Sequence, residues 1–126
     1  MQVDYAAQYE LGRAGERAAI RWYEEEGYIL LAHRARMRAG EIDAVVEDHD
    51  GTIVFVEVKS RRGTAFGAAE AVTTKKLTTM RRCAAQWLEQ YPAAGLREIR
   101  FDVVEVVLDG EDYILRRFLG VEDGAC

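Results

Sequence analysis

The chain has 126 residues, 49% of them apolar and 31% charged, with a formal charge of −5 at neutral pH. That length holds one apolar core and not two, and the composition excludes an extended disordered chain. The acidic balance argues against capture of nucleic acid by the surface as a whole.

We therefore read residues 1–126 as one domain with its core over about 6–119. No apolar run approaches the roughly 20 residues that cross a bilayer. The opening "MQVDYAAQYELG" lacks the basic and apolar regions of a signal peptide, so the expected address is the cytoplasm. Cys83 and Cys126 then read as free thiols in a reducing compartment.

In chain order, Leu11, Ala14, Ala18 and Trp22 recur at three- and four-residue intervals and predict an amphipathic helix over about 6–26, ending before Gly27. Glu16 lies one turn from both Gly12 and Ile20. Its carboxylate belongs either at the edge of the core or, like most helix glutamates, in solvent. "YILLAHRARM" predicts a first strand, "EIDAVVED" a second and "TIVFVEVKSR" a third, the last two joined as a hairpin through residues 48–52. Counting back from that turn sets Glu47 opposite residues 52–53, Val45 opposite Phe55 and Asp43 opposite Glu57.

"RRGTAFGAA" predicts a loop, in which Phe66 and Gly67 either enter a groove or form a simple turn packed by one phenylalanine. "EAVTTKKLTTMRRCAAQWLEQY" predicts a second helix whose buried stripe is Leu77, Met80, Ala84, Trp87 or Leu88, and Tyr91, with Cys83 packed beside it. Tyr91, Pro92 and Gly95 mark its exit, and "IRFDVVEVVL" and "YILRRFLG" add two strands across a turn at Asp109–Gly110. The order helix, three strands, helix, two strands predicts an α/β fold with a mixed central sheet flanked by helices. The helix between strands three and four leaves room for a parallel crossover.

The charged residues inside the hairpin carry the chemistry. Strand alternation turns Glu57 and Lys59 to one face and Val54, Val56 and Val58 to the other. Two carboxylates at Asp43 and Glu57 repel at close range unless a cation, a proton or a lysine compensates them. Lone charges on a surface hairpin would simply be solvated. Magnesium suits the pair, because it takes hard carboxylate oxygens, keeps waters and completes its shell with phosphate. Asp43, Glu57 and the Val58 carbonyl form such a partial shell, and Lys59 is placed to orient a nucleophile or offset charge on a phosphate under attack. Glu16 joins them, directly or from behind, if the first helix crosses the open end of the hairpin, and Arg17 is then available to phosphate.

Residues 59–82 hold seven basic residues against one acidic residue, a local charge of +6 within a chain whose remainder carries −11. Arg61, Arg62, Lys75, Lys76, Arg81 and Arg82 are the candidate phosphate contacts. Lys75 and Arg82 lie two turns apart, while Lys76 and Arg81 point elsewhere. Arg34, Arg36 and Arg38 alternate with Ala35 and Met37 and either extend the patch or line a solvated sheet edge. His33 and His49 fall in no zinc or nucleophilic arrangement, and the glycines form no phosphate loop.

"GRAGERAAIRWYEEEGYILLAHRARMRAGEIDAVVEDHDGTIVFVEVKSRR" followed by "FGAAEAVTTKK" resembles the YraN-like family of small bacterial proteins. That family is similar to archaeal Holliday junction resolvases and the restriction-endonuclease-like superfamily, whose signature is Asp, a gap, then Glu-x-Lys. The resemblance covers residues 11 to about 107 and rests on the ordered set "GxxGE", "GYxIL", "GEID", "FVEVKxR" and "FGxxxxAVxxxK". It implies a restriction-endonuclease-like fold and a Mg2+- or Mn2+-dependent endonuclease acting on DNA, with branched substrates and a twofold homodimer as the resolvase pattern. The catalytic set then falls on Asp43, Glu57, Lys59 and Glu16. The competing expectations are a noncatalytic nucleic-acid-binding protein that keeps the fold, and a partner-binding domain whose carboxylates only form a salt-bridge network with Lys59.

Overall fold

The structure is a computed structural model that describes residues 5–63, 74–91 and 97–121. Its elements are α1 (Tyr5–Glu25), β1 (Ile29–Met37), β2 (Gly40–Glu47), β3 (Ile53–Arg62), α2 (Thr74–Glu89), β4 (Ile99–Asp109) and β5 (Asp112–Phe118). The five strands form one mixed sheet in the order β1-β2-β3-β4-β5, with β3 and β4 parallel and every other neighbouring pair antiparallel. The parallel pair follows from the helical connection, since a tight hairpin can join only antiparallel strands. The Phe66–Gly67 loop, the first residues expected for the second helix, Pro92, Gly95 and Cys126 lie outside the described residues.

Each face of the sheet carries one helix and one apolar cluster. Ala19, Ile20 and Tyr23 of α1 pack on Ala44, Val46, Val54, Val56, Val104 and Val106. On the other face Leu77, Met80, Cys83, Ala84 and Trp87 of α2 pack with Ile42, Val45, Ile53, Phe55, Phe101 and Val103. Alternate strand residues thus feed alternate layers, and the central strands read as nearly continuous apolar runs because both their faces are covered. No helix among the described residues is long and apolar enough to cross a membrane.

The buried stripe of α1 differs from the expected Leu11, Ala14, Ala18 and Trp22 by about one residue: Gly15, Ala19, Ile20 and Tyr23 are buried instead. Two constraints set this rotation. Gly15 lets the helix backbone approach β3 so closely that a Cβ there would run into Ser60 Oγ and lie 2.9 Å from Ser60 Cβ. At the far end the Tyr23 hydroxyl donates to the fully buried Asp102 carboxylate at 2.8 Å. Asp102 also accepts from Arg100 Nε at 2.9 Å, Arg100 Nη2 at 3.0 Å and the Gly120 amide at 3.0 Å, so its charge is paired and its lone pairs are used. Trp22, expected in the stripe, instead lies beside the cluster with the Arg117 guanidinium 4.4 Å from its ring. The helix ends at Glu25, and Gly27 in the turn after it, with a φ of +93°, carries the chain towards β1.

Gly15→Ala is expected to destabilise the fold by about 1–3 kcal/mol through overpacking. Ser60 Oγ is buried and finds no hydrogen-bond partner among the described residues, so adding Ser60→Ala should recover part of that loss. Urea denaturation of the single and double variants checks both expectations.

Candidate functional site

The β2–β3 ladder pairs Glu47 with Ile53, Val46 with Val54, Val45 with Phe55 and Ala44 with Val56, in the register expected from counting, and then stops. Asp43 and Glu57, the next pair in that count, meet through side chains rather than through backbone hydrogen bonds. The Val58 amide, which would continue the ladder, donates instead to Asp43 Oδ2 at 2.7 Å. The Asp43 carboxylate therefore fills a seam where β2 leaves β3 and takes the role of the missing backbone acceptor. Because N–H and C=O of one strand residue point the same way, the Val58 carbonyl faces that seam as well.

The neighbouring strand is irregular at the same level. Arg34 stands across from Asp43, between the pairs His33–Ala44 and Ala35–Ile42, and has a φ of +56°. A left-handed residue inside a strand breaks the alternation of faces and is costly for a residue with a Cβ. The break is visible on both strands. His33 and Arg34 are adjacent yet reach one carboxylate: Arg34 Nε donates to Glu16 Oε1 at 2.8 Å, and His33 Nε2 lies 3.1 Å from the same oxygen. In β2, Ala44 belongs to the α1 layer and Ile42 to the α2 layer although they are two residues apart, which leaves Asp43 between the layers.

Glu57 is buried on the α2 side, in line with Ile53 and Phe55. Lys59, two residues along the same face, holds its Nζ 3.9 Å from Glu57 Oε2. Lys76 from α2 approaches the same oxygen more closely, at 2.7 Å. The Asp43 carboxyl is pushed up to about 8 by burial first, then by the charge of Glu57 and a hydrogen bond shared with it; the Val58 amide opposes the rise and Glu16 adds to it. A carboxyl raised in this way favours its protonated form near neutral pH, beside the Glu57 carboxylate.

The structure brings Asp43, Glu57, Lys59, Lys76 and the Val58 backbone together at the seam. Glu16 acts on Asp43 through its charge, from the α1 side, while its Oε1 is engaged by His33 and Arg34. Among the described residues no three His, Cys, Asp or Glu side chains converge closely enough to hold a metal ion. The residues that could hold a divalent cation are the two crowded carboxylates Asp43 and Glu57, which would leave most of its shell to water.

Of the expected phosphate contacts, Arg17 is exposed on α1, Arg61 and Arg62 are exposed at the end of β3, and Lys75 and Arg82 are exposed on α2. Lys76 is turned inward, as its place in the helix explains: it precedes Met80 by four residues and Cys83 by seven, so it extends the buried stripe beyond Leu77 to the seam. That spacing was a usable signal in the sequence. Arg34, Arg36 and Arg38 do not share one face. Arg34 turns to Glu16, Arg36 lies 3.5 Å from Glu41, and Arg38 sits in the turn after β1. A further buried acid, Glu105, accepts from Arg116 at 2.9 Å on the strand beside Lys59.

A carboxyl whose native pKa lies above its unfolded value favours the folded state at low pH, and this contribution is lost as pH rises through the native value. Asn at position 43 keeps an acceptor for Val58 and a donor for Glu57 without any charge. Asp43→Asn is therefore expected to be more stable than wild type near pH 8, with the difference closing towards pH 4. Denaturation midpoints measured across that range check the sign.

Residues 15–106 match the description "Uncharacterised protein family UPF0102". A UPF0102 protein of Corynebacterium efficiens is 52% identical over 118 residues, covering 92% of this chain and 94% of its own. UPF0102 proteins of Corynebacterium glutamicum and Beutenbergia cavernae are each 48% identical, over 79% and 77% of this chain and 79% and 81% of their own lengths. The matched region runs from Gly15 into β4 and contains Glu16, the seam, Lys59 and Lys76. With that coverage and those identities, the chain belongs to the UPF0102, or YraN-like, family.

Proposed function

We propose that the protein is a Mg2+- or Mn2+-dependent endonuclease of restriction-endonuclease-like fold that hydrolyses phosphodiester bonds in branched or junction DNA. The observation that carries this reading is the Asp43–Glu57 pair: two carboxylates crowded into a gap between strands, with Lys59 on the same face as Glu57. Asp43 and Glu57 would hold the cation, with the Val58 carbonyl beside them and Glu16 acting from the α1 side. When bound, Mg2+ or Mn2+ supplies Lewis acidity towards the phosphate and a water of lowered pKa. Lys59, on a flexible stem with three donors, orients the attacking water or offsets charge on the phosphoryl oxygens.

The exposed basic residues support a substrate with more than one direction. Arg17 belongs to the α1 layer and Lys75 and Arg82 to the α2 layer, with Arg61 and Arg62 at the sheet end between them. A branched duplex would offer phosphates to both layers. A twofold dimer would present two such seams to a four-way junction.

The close Lys76–Glu57 pair favours one second reading, a nucleic-acid-binding protein that keeps the fold without cleaving, because a lysine already neutralises the carboxylate. End-labelled four-way junction, flap, duplex and single-stranded DNA with Mg2+ or Mn2+ separate the two. We expect wild type to cut a branched form best, and Asp43→Ala, Glu57→Ala and Lys59→Ala to lose about a hundredfold or more in rate while remaining folded. Tight binding of the same DNA without cutting would select the second reading.

A further inference from the structure

We propose that Lys76 is the resident counter-cation of the Asp43–Glu57 seam, and that it leaves Glu57 when a divalent cation binds, so that its ammonium becomes available to a substrate phosphate. The inference rests on the metal-site reading above and assigns Lys76 a role distinct from that of Lys59.

Three observations carry it. Lys76 Nζ lies 2.7 Å from Glu57 Oε2, against 3.9 Å for Lys59, so it occupies the oxygen that a cation at the seam would need. Glu57 keeps only 9% of its side-chain surface, whereas Lys76 keeps 34%, so the carboxylate is fixed and the lysine has solvent to move into. Lys76 reaches the seam from α2, in a layer separate from the strands that hold the two carboxylates. Its departure therefore moves no ligand: the four-carbon stem rotates while β2 and β3 stay in place.

The electrostatics give the exchange its direction. Two anions in a partly buried seam need positive charge, and a buried carboxylate left without a partner is strongly unfavourable. With no divalent ion, Lys76 meets that need. With one bound, an ammonium at the same oxygen is repelled as a like charge, and the nearest new anions are phosphates brought to the exposed basic residues Lys75 and Arg82 of the same helix. Occupation of the seam and readiness for phosphate are thereby coupled through one side chain.

The test is Mn2+ binding by calorimetry to wild type, Lys76→Met and Arg21→Met. Arg21 is an exposed residue of α1 and controls for the loss of one positive charge. We expect Lys76→Met to bind Mn2+ about tenfold more tightly than wild type, within the usual range of coupling between sites, and Arg21→Met to change affinity by less than about twofold. In wild type, side-chain NMR of the Lys76 ammonium should show protons held in an ion pair without metal and exchanging freely with solvent at saturating Mg2+. Equal or weaker Mn2+ binding by Lys76→Met, or an ammonium still held at saturating Mg2+, would overturn the exchange and leave the two-carboxylate site standing. Absence of Mn2+ binding by both wild type and Lys76→Met would overturn the metal site and the exchange together.

Discussion

One hydrogen bond, from the Val58 amide to the Asp43 carboxylate, organises the part of the molecule that bears on chemistry. A strand that ended there without a side-chain acceptor would leave a buried amide unpaired; a strand that continued would leave no gap between β2 and β3. By accepting that amide, Asp43 lets the ladder stop inside the sheet and brings its carboxylate against Glu57, in a space shared by the two helical layers.

Asp43 and the fully buried Asp102 are treated differently, and the contrast separates scaffold from site. Asp102 accepts four hydrogen bonds, two of them from one guanidinium, and joins α1, β4 and the segment after β5. Burial and the neighbouring Asp102 carboxylate hold the Tyr23 phenol above its ordinary pKa, so it remains a donor throughout the range in which proteins fold. Asp43 has one backbone donor and a like-charged neighbour, and its carboxyl rises accordingly. A carboxylate with every lone pair matched is a structural tie; one left short of positive charge has the capacity to bind something.

The helices bring charge of opposite sign to the seam from its two sides. Glu16 of α1 is held by His33 and Arg34 at a point where its charge is felt by Asp43, and Lys76 of α2 meets Glu57 directly. Gly15 fixes how closely α1 lies on β3, and so where the next residue, Glu16, can act. The left-handed backbone at Arg34 turns its side chain to the same layer as that of His33. Backbone features with no chemistry of their own thus decide which charges the carboxylates experience.

Local pattern by itself determined much of this protein. Alternation of valines and charges placed β2 and β3 and their register as far as Ala44–Val56, and the length of the helical connection made β3 and β4 parallel. Such features depend on neighbours along the chain and on the two-residue period of a strand, which a sequence displays directly. The nearness of Asp43 to Glu57 was legible for the same reason. The capture of Glu16 by His33 and Arg34, the rotation of α1 and the four-donor setting of Asp102 were decided only by tertiary structure. Each depends on how one layer seats on another, through a glycine contact, a positive φ or a buried phenol, and those contacts join residues from 17 to 79 positions apart.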